Sequence, residues 1–428
     1  MWVVGAARSA YDPRMRAAIL AVGSELLGTD RLDTNSLRLT ECLELHGVEL
    51  VTKQVIGDDV AEIARVVGAL AERSELLLIT GGLGPTSDDL TRDAVAQVTQ
   101  CELHEEPAII EHIRRLFESF GRQMPESNRK QALVPAGAQI LDNPRGTAPG
   151  LRLEHGGTHL FLFPGVPREL EGMITRDLDP WLAATSSEPP KHRLTLRVAC
   201  LPESEVEQLL APVYAEFGAI GLLASPGDIR VRLDCPDAER LAAMSQAVRD
   251  CLGRAVYGEG DEGLEAVVGR QLIRRQLTIA TAESLTGGWI AQRLTSVAGS
   301  SAYFFGAIIA YANRVKSEQL GVEEELIHRY GAVSQEVVEE MASGARERLG
   351  TDLAVAVSGV AGPGGGSEHK PVGTVDIALA QADSEIYYRR FQFPGDRRMV
   401  RLLTTQWALD TVRRALDGVA PTEIAEHR

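Results

Sequence analysis

Leu76-Leu-Leu-Ile-Thr-Gly-Gly-Leu-Gly-Pro-Thr-Ser-Asp-Asp-Leu-Thr91 decides how the first half of this chain folds. Five residues without polar alternation read as a strand covered on both faces. The glycines stop that strand, and the Thr, Ser and Asp after them lead into a helix. The chain upstream repeats the pattern. Ala17–Val22 is a short apolar run, and the helix that follows carries Leu39, Cys42, Leu43 and His46 on one face and closes at Gly47. Next comes a run from Val48 to Ile56, then a helix opened by Asp59 with Glu62 three residues on, the spacing of a capping box. Strand, helix, strand, helix, strand implies a parallel, doubly wound sheet whose ligands bind beyond the carboxyl ends of its strands.

Pro, Ser and Thr then gather between Pro180 and Lys191, which reads as a linker. A smaller unit follows, with alternating Leu194, Leu196 and Val198, alternating Ile229, Val231 and Leu233, and helical spacing over Glu203–Phe217 and Ala238–Leu252. Gly218-Ala-Ile-Gly221 has the form of an RNA-clamping GXXG loop, but no Lys or Arg flanks it and it reads as a turn. From Gly260 a third α/β pattern begins, with strands at Leu277–Thr281, Phe304–Tyr311, Leu353–Ser358, Thr374–Ala380 and Ile386–Phe391. A last helix places Val400, Leu403 and Trp407 on one face.

At 428 residues the chain exceeds one ordinary core, so two or three domains are expected. A net charge of −16 argues against a general phosphate-backbone binder. Any anionic substrate must find a locally basic pocket. Cys42, Cys101, Cys200, Cys235 and Cys251 are scattered, odd in number and without a C-x-x-C pair, which suits reduced thiols rather than disulfides or zinc. The apolar run Ala302 to Ala312 is too short to span a membrane and reads as a buried strand. Residues 1–14 lack the pattern of a secretion signal and are expected to be a disordered extension before Met15.

Two glycine-bearing turns carry chemistry. In Gly81–Thr91, backbone N–H groups at a helix start suit an anion, although the Gly-Lys-Ser/Thr ending of a P-loop is missing. Asp88 and Asp89 are there either as caps or as holders of a divalent metal. In Thr281-Ala-Glu-Ser-Leu-Thr-Gly-Gly288, Ser284 is either an N-cap or a nucleophile near oxyanion donors at Thr286 and Gly287. Tyr311-Ala-Asn-Arg-Val-Lys316 favours the second reading, because a desolvated lysine at a helix start has a lowered pKa and activates serine without histidine. His369 reads as a surface loop residue. Ser358–Gly366 is either a turn or a ligand loop, and the arginines of Gly395-Asp-Arg-Arg-Met-Val-Arg401 form either a solvated face or an anion site.

Gly23–Gly28, Asp33-Thr-Asn35, Gly57-Asp58, Gly81–Thr91, Asn143–Gly150 and Phe163–Pro167, in that order, resemble the N-terminal domain of CinA proteins, a relative of molybdopterin-binding domains. The resemblance implies metal-dependent hydrolysis of ADP-ribose to AMP and ribose 5-phosphate. Cobalt, magnesium or manganese would sit near Asp58, Asp88 and Asp89, and the phosphates among Gly81, Gly82, Gly84 and Thr86. The three later motifs resemble the PncC-type nicotinamide mononucleotide deamidase domain that ends CinA proteins. By position the nucleophile is Ser284 and the base Lys316, with Tyr311 orienting the lysine and Arg397 contacting phosphate or carbonyl. Thr286, Gly287, Asn313 and Gly362 are expected substrate contacts, and this domain needs no cofactor. Leu285 and Ala312 depart from the Cys and Ser that many relatives carry, which leaves Ser284 as the nucleophile of its motif.

The expectation is therefore a multidomain α/β protein: a doubly wound parallel-sheet domain at 15–185, a small KH-like α/β connector at 191–257, and an α/β amidase domain at 260–418. It is expected to be a cytoplasmic homodimer acting on small nucleotides, without general nucleic-acid or membrane binding. The rival reading is an adaptor linked to competence and DNA damage, or a pterin-binding protein with one or both sites silent.

Overall fold

The computed structural model describes residues 14–29, 31–382 and 384–419. Apart from Arg14, the expected N-terminal extension lies outside them. The chain divides after His192 into two compact units.

The first unit is built on a six-stranded sheet in the order Glu49–Ile56, Arg16–Val22, Leu76–Thr80, Thr158–Phe163, Gly150–His155, Gln139–Leu141. The first four strands are parallel and the last two antiparallel, so the sheet is mixed where a wholly parallel one was expected. The added strands form a hairpin at one edge, which needs no crossover helix. Alternate residues of the strand Arg16–Val22 serve opposite faces. Ala18, Leu20 and Val22 join Ile63, Val67 and Ile109 on one, and Ala17 and Ile19 join Leu39 and Leu43 on the other. Each fully buried Leu or Ile there contributes roughly 1.5–3 kcal/mol.

Asp59 caps the helix Val60–Ala71 by accepting from the Glu62 amide, as the spacing predicts. Two boundaries differ from expectation. The helix after the glycine loop begins at Thr91 with Leu90 as its N-cap, so neither Asp88 nor Asp89 caps it. The linker starts later than composition suggests, because Pro180 sits in the first turn of a helix, Asp179–Thr185, where a missing N–H costs nothing.

The second unit contains two sheets. One has the order Gly221–Ser225, Asp228–Cys235, His192–Ala199, Val256–Glu259, backed by Ala238–Leu252 and by a helical segment that Leu210 splits into Glu203–Leu209 and Ala211–Phe217. Gly218 has φ +88°, in keeping with the turn reading. The other runs Phe304–Ile309, Ile279–Glu283, Leu353–Gly359, Thr374–Gln381, Tyr387–Gln392. Its first three strands are parallel and its last two antiparallel.

One face of this five-stranded sheet carries Ala280, Ala282, Ala354, Ala356, Ala378 and Ala380 against Val338, Met341 and Ala342 of the helix Gln335–Leu349. The small side chains let the helix come close. The same helix also packs tightly on the helix Asn313–Leu320, where a Cβ at Gly344 would lie 1.7 Å from the Leu320 carbonyl. The other face packs Val355, Val357, Ile377 and Leu379 against the helices Leu264–Arg275 and Arg397–Leu416.

The strand Phe304–Ile309 was expected to be buried. It is an edge strand, with Phe305 55% and Ile309 42% exposed, because an apolar run reads the same whether or not a neighbour covers it. The five cysteines are free thiols, and among the described residues no helix is long and apolar enough to cross a membrane.

Candidate active sites

The strand Ile279–Glu283 ends in the turn that presents Ser284, and the helix Trp289–Thr295 starts after it with Gly288 as N-cap. Ser284 is therefore not the cap. Glu283, fully buried, holds the turn together. Its carboxylate accepts from the Thr281 and Thr286 hydroxyls and from the backbone N–H groups of Gly288, Ile290 and Ala291. Five donors around one carboxylate offset the cost of burying its charge.

Lys316 lies on the first turns of the helix Asn313–Leu320 and is 1% exposed. Its Nζ stands 3.3 Å from Ser284 Oγ, 2.7 Å from the Ala310 carbonyl and 3.5 Å from the Tyr311 carbonyl. Burial pushes its pKa down from 10.5 to about 8. A neutral amine has two hydrogens and one lone pair. With the hydrogens on the two carbonyls, the lone pair is left for the serine hydroxyl.

The remaining residues of this site divide. Arg397 donates to the Gly362 carbonyl at 2.8 Å and to the Tyr311 hydroxyl at 3.2 Å, so these three come together. The Tyr311 side chain is 62% exposed and bonded to that arginine, and only its main-chain carbonyl meets Lys316; the expected orienting role passes from phenol to backbone. The Gly287 N–H donates to the Ser284 carbonyl within the turn, which removes it as an oxyanion donor in this conformation. Asn313 opens the lysine's helix and is exposed. His369 is an exposed loop residue.

Glu283 is a residue that sequence reasoning passed over, although an acid closes its otherwise mostly apolar strand. Arg401, one of the three arginines singled out as either a solvated face or an anion site, donates to the Thr286 carbonyl at 2.7 Å and lies over the Trp289 ring. Arg397, Arg398 and Arg401 with Gly362 line a cavity of about 520 Å3, a basic pocket beside the serine turn in a strongly acidic chain.

In the first unit, a pocket of about 380 Å3 sits at the carboxyl ends of Arg16–Val22 and Leu76–Thr80, where the strand order reverses. Asp58, Asp88, Asp89, Gly81, Gly82, Gly84 and Thr86 all line it. The glycines have steric reasons. A Cβ at Gly81, φ +99°, would lie 2.0 Å from the Val22 carbonyl, and one at Gly82, φ +66°, would lie 2.2 Å from Thr91 Oγ1.

The expected phosphate donors are already engaged. Asp89 accepts from the Gly84 N–H at 2.7 Å, from the Thr86 N–H at 2.8 Å and from the Thr86 hydroxyl, and the Gly81 N–H donates to the Phe163 carbonyl. Asp58 accepts from the Ser24 N–H at 2.7 Å through Oδ2. The exposed Asp88 carboxyl is held below its usual range, chiefly by the nearby Thr86 side chain. Arg92 is buried behind the loop on the Leu83 carbonyl, and burial lowers its pKa to about 10.

Among the described residues the three aspartates do not converge as a three-ligand set. They fit a magnesium-class ion only in the mode where one or two carboxylates share it with substrate phosphate oxygens.

Residues 261–416 match the CinA C-terminal domain, and residues 18–184 match a family described as a probable molybdopterin binding domain. A CinA-like protein from Solibacter usitatus is 43% identical over 416 residues, which cover 95% of this chain and all of the relative. The chain belongs to the CinA family. A second CinA-like protein, from Frankia casuarinae, is 42% identical over 428 residues, covering 96% of this chain and 98% of the relative. Among solved structures, the competence/damage inducible protein CihA from Agrobacterium tumefaciens is 38% identical, covers 36% of this chain and 97% of its own, and has a TM-score of 0.35. Both halves of the CinA resemblance thus fall on the segments that supply the two sites.

Proposed function

We propose that this protein hydrolyses the carboxamide of nicotinamide mononucleotide to nicotinic acid mononucleotide and ammonia, using Ser284 and Lys316. The observation that carries the reading is a buried lysine with lowered pKa 3.3 Å from a buried serine hydroxyl at a strand-to-helix turn. The CinA resemblance supplies the substrate. Lys316 takes the hydroxyl proton as Ser284 Oγ bonds to the carboxamide carbon. The C–N bond then breaks, and the proton held by Lys316 leaves with the nitrogen as ammonia. Water, deprotonated by the same amine, attacks the acyl-serine; the C–O bond to Ser284 breaks, Lys316 returns the proton to the serine oxygen, and the acid is released. Arg397, Arg398 and Arg401 meet the need for a local basic pocket, and we assign the substrate phosphate to it.

A second reading concerns the first unit, where an acidic pocket at a topological switch point supports cleavage of the ADP-ribose pyrophosphate to AMP and ribose 5-phosphate. Asp58 and Asp88 would hold the magnesium, manganese or cobalt ion, and Asp89 would order the loop. Such an ion, when bound, neutralises phosphate charge and lowers the pKa of its water. The reading extends to a cytoplasmic homodimer, tested by light scattering and by fractionation.

A paired assay on the intact chain tests both activities. Ser284→Ala should abolish ammonia release and leave AMP release from ADP-ribose intact, and Asp58→Asn should do the reverse. Wild-type ammonia release by Ser284→Ala would refute the first mechanism. No AMP with any of the three metals would leave the first unit to the pterin-binding or silent reading.

A further inference from the structure

One cluster of ligating side chains lies outside both sites. Cys42 and His46 stand four residues apart at the end of the helix Thr34–Leu45, so they share one face. Asp179 opens the helix Asp179–Thr185. One ligand atom from each residue lies within 4.8 Å of the other two. His46 is 2% exposed; its Nε2 meets Asp179 Oδ1 at 2.7 Å, while its Nδ1 is buried without a partner. A buried ring nitrogen left in that state costs about 1–3 kcal/mol.

We propose that Cys42, His46 and Asp179 form a site for a zinc-class divalent cation, with a fourth position open to the cavity beside them. A thiolate, an imidazole and a carboxylate are zinc's ligand types, whereas magnesium and calcium prefer oxygen alone. Bond lengths of about 2.0–2.3 Å set tetrahedral ligands roughly 3.3–3.8 Å apart, so the ring and carboxylate part slightly as the ion enters. Thiolate and carboxylate together balance its charge. A cavity of about 730 Å3, lined by Cys42, Asp179, Glu41 and Glu171 among others, provides the entry route and room for a water ligand. The Cys42 thiol releases its proton to solvent on binding. The ion would tie the end of Thr34–Leu45 to the last helix of the first unit. None of the three residues lines the Asp58 pocket.

The test uses the full chain carrying Asp58→Asn, so that the acidic pocket is disabled, stripped with chelator and titrated with zinc alone or with cobalt as a spectroscopic probe. One equivalent should bind, with a thiolate-to-cobalt charge-transfer band and a rise in Tm. Cys42→Ser should lose the band, and Cys42→Ser and His46→Gln should each weaken binding by about tenfold or more. Cys42→Ser changes one atom at a helix position, and its metal-free Tm, compared with the parent, separates loss of the site from loss of fold. The proposal fails if the parent binds no ion, or if Cys42→Ser keeps the same stoichiometry, band and Tm shift.

Discussion

The lowered pKa of Lys316 makes a quantitative claim about how hydrolysis depends on pH. With a pKa of about 8, the amine is roughly 1% neutral at pH 6, 9% at pH 7 and 90% at pH 9, whereas at the ordinary 10.5 it would be about 0.03% neutral at pH 7. The fold thus supplies about a 300-fold larger share of active base at neutral pH. If the neutral amine takes the Ser284 proton, kcat/KM for ammonia release should rise about 50-fold between pH 6 and pH 8 and level off above about pH 9. The sign follows from the base being the unprotonated form, so activity is lost as pH falls through 8. The substrate phosphate titrates near 6 and bends only the bottom of the curve. Lys316→Arg keeps the positive charge but stays protonated throughout, and should lower kcat by about 10²–10⁴ with no limb near pH 8. The assay is ammonia release from nicotinamide mononucleotide at constant ionic strength, with a melting curve for each variant. A flat profile from pH 6.5 to 9.5, or a limb that survives in Lys316→Arg, would refute the reasoning.

Glu283→Gln places an amide among five donors, of which three are backbone N–H groups. It should destabilise the second unit by at least about 2 kcal/mol in denaturant titrations and lower kcat without moving the pH limb. An unchanged midpoint would mean that the turn holds without its carboxylate. Gly81→Ala drives a Cβ into the Val22 carbonyl at a φ of +99° and should cost about 1–3 kcal/mol, with loss of AMP release and unchanged ammonia release. Equal loss of both activities would count against two separate sites.

What was legible in the sequence was whatever depends on neighbours along the chain. The capping pair Asp59 and Glu62, the covered run Leu76–Thr80 and the glycine stops are local, and the structure carries all of them. Ser284 and Lys316 were legible as a pair because the turn that holds one and the helix that holds the other follow neighbouring parallel strands, Ile279–Glu283 and Phe304–Ile309, at the same end of the sheet. What was hidden depends on contacts across the fold. The run to Tyr311 gave no sign that its strand lies at the sheet edge, with Phe304 and Ile308 packed inward while Phe305 and Ile309 stay exposed. Cys42 and His46 looked like two members of an inward helix face until Asp179, 133 residues from His46, arrived beside them. Asp89 read as a cap or a ligand because its sequence position suits both, while in the structure it braces its own loop.

That bracing explains why the two glycine turns call for different chemistry. In each, a carboxylate of the chain takes up backbone N–H groups that a bare anion cradle would offer: Asp89 at Gly84 and Thr86, and Glu283 at Gly288, Ile290 and Ala291. Glu283 is fully buried, so its turn stays closed, and the proposed anion recognition falls to the arginines of the last helix, Arg397–Leu416. Asp89 lines an accessible pocket together with Asp58 and Asp88, with Arg31 on its wall and Lys130 on the Thr86 carbonyl, so a pyrophosphate approaching it meets mainly carboxylates where a P-loop presents amides. Two like charges a few ångströms apart repel, and only a counter-charge reverses the sign. On this argument the metal dependence expected of the first unit follows from a cradle that its own aspartate fills, and ADP-ribose should bind measurably only when the divalent ion is present.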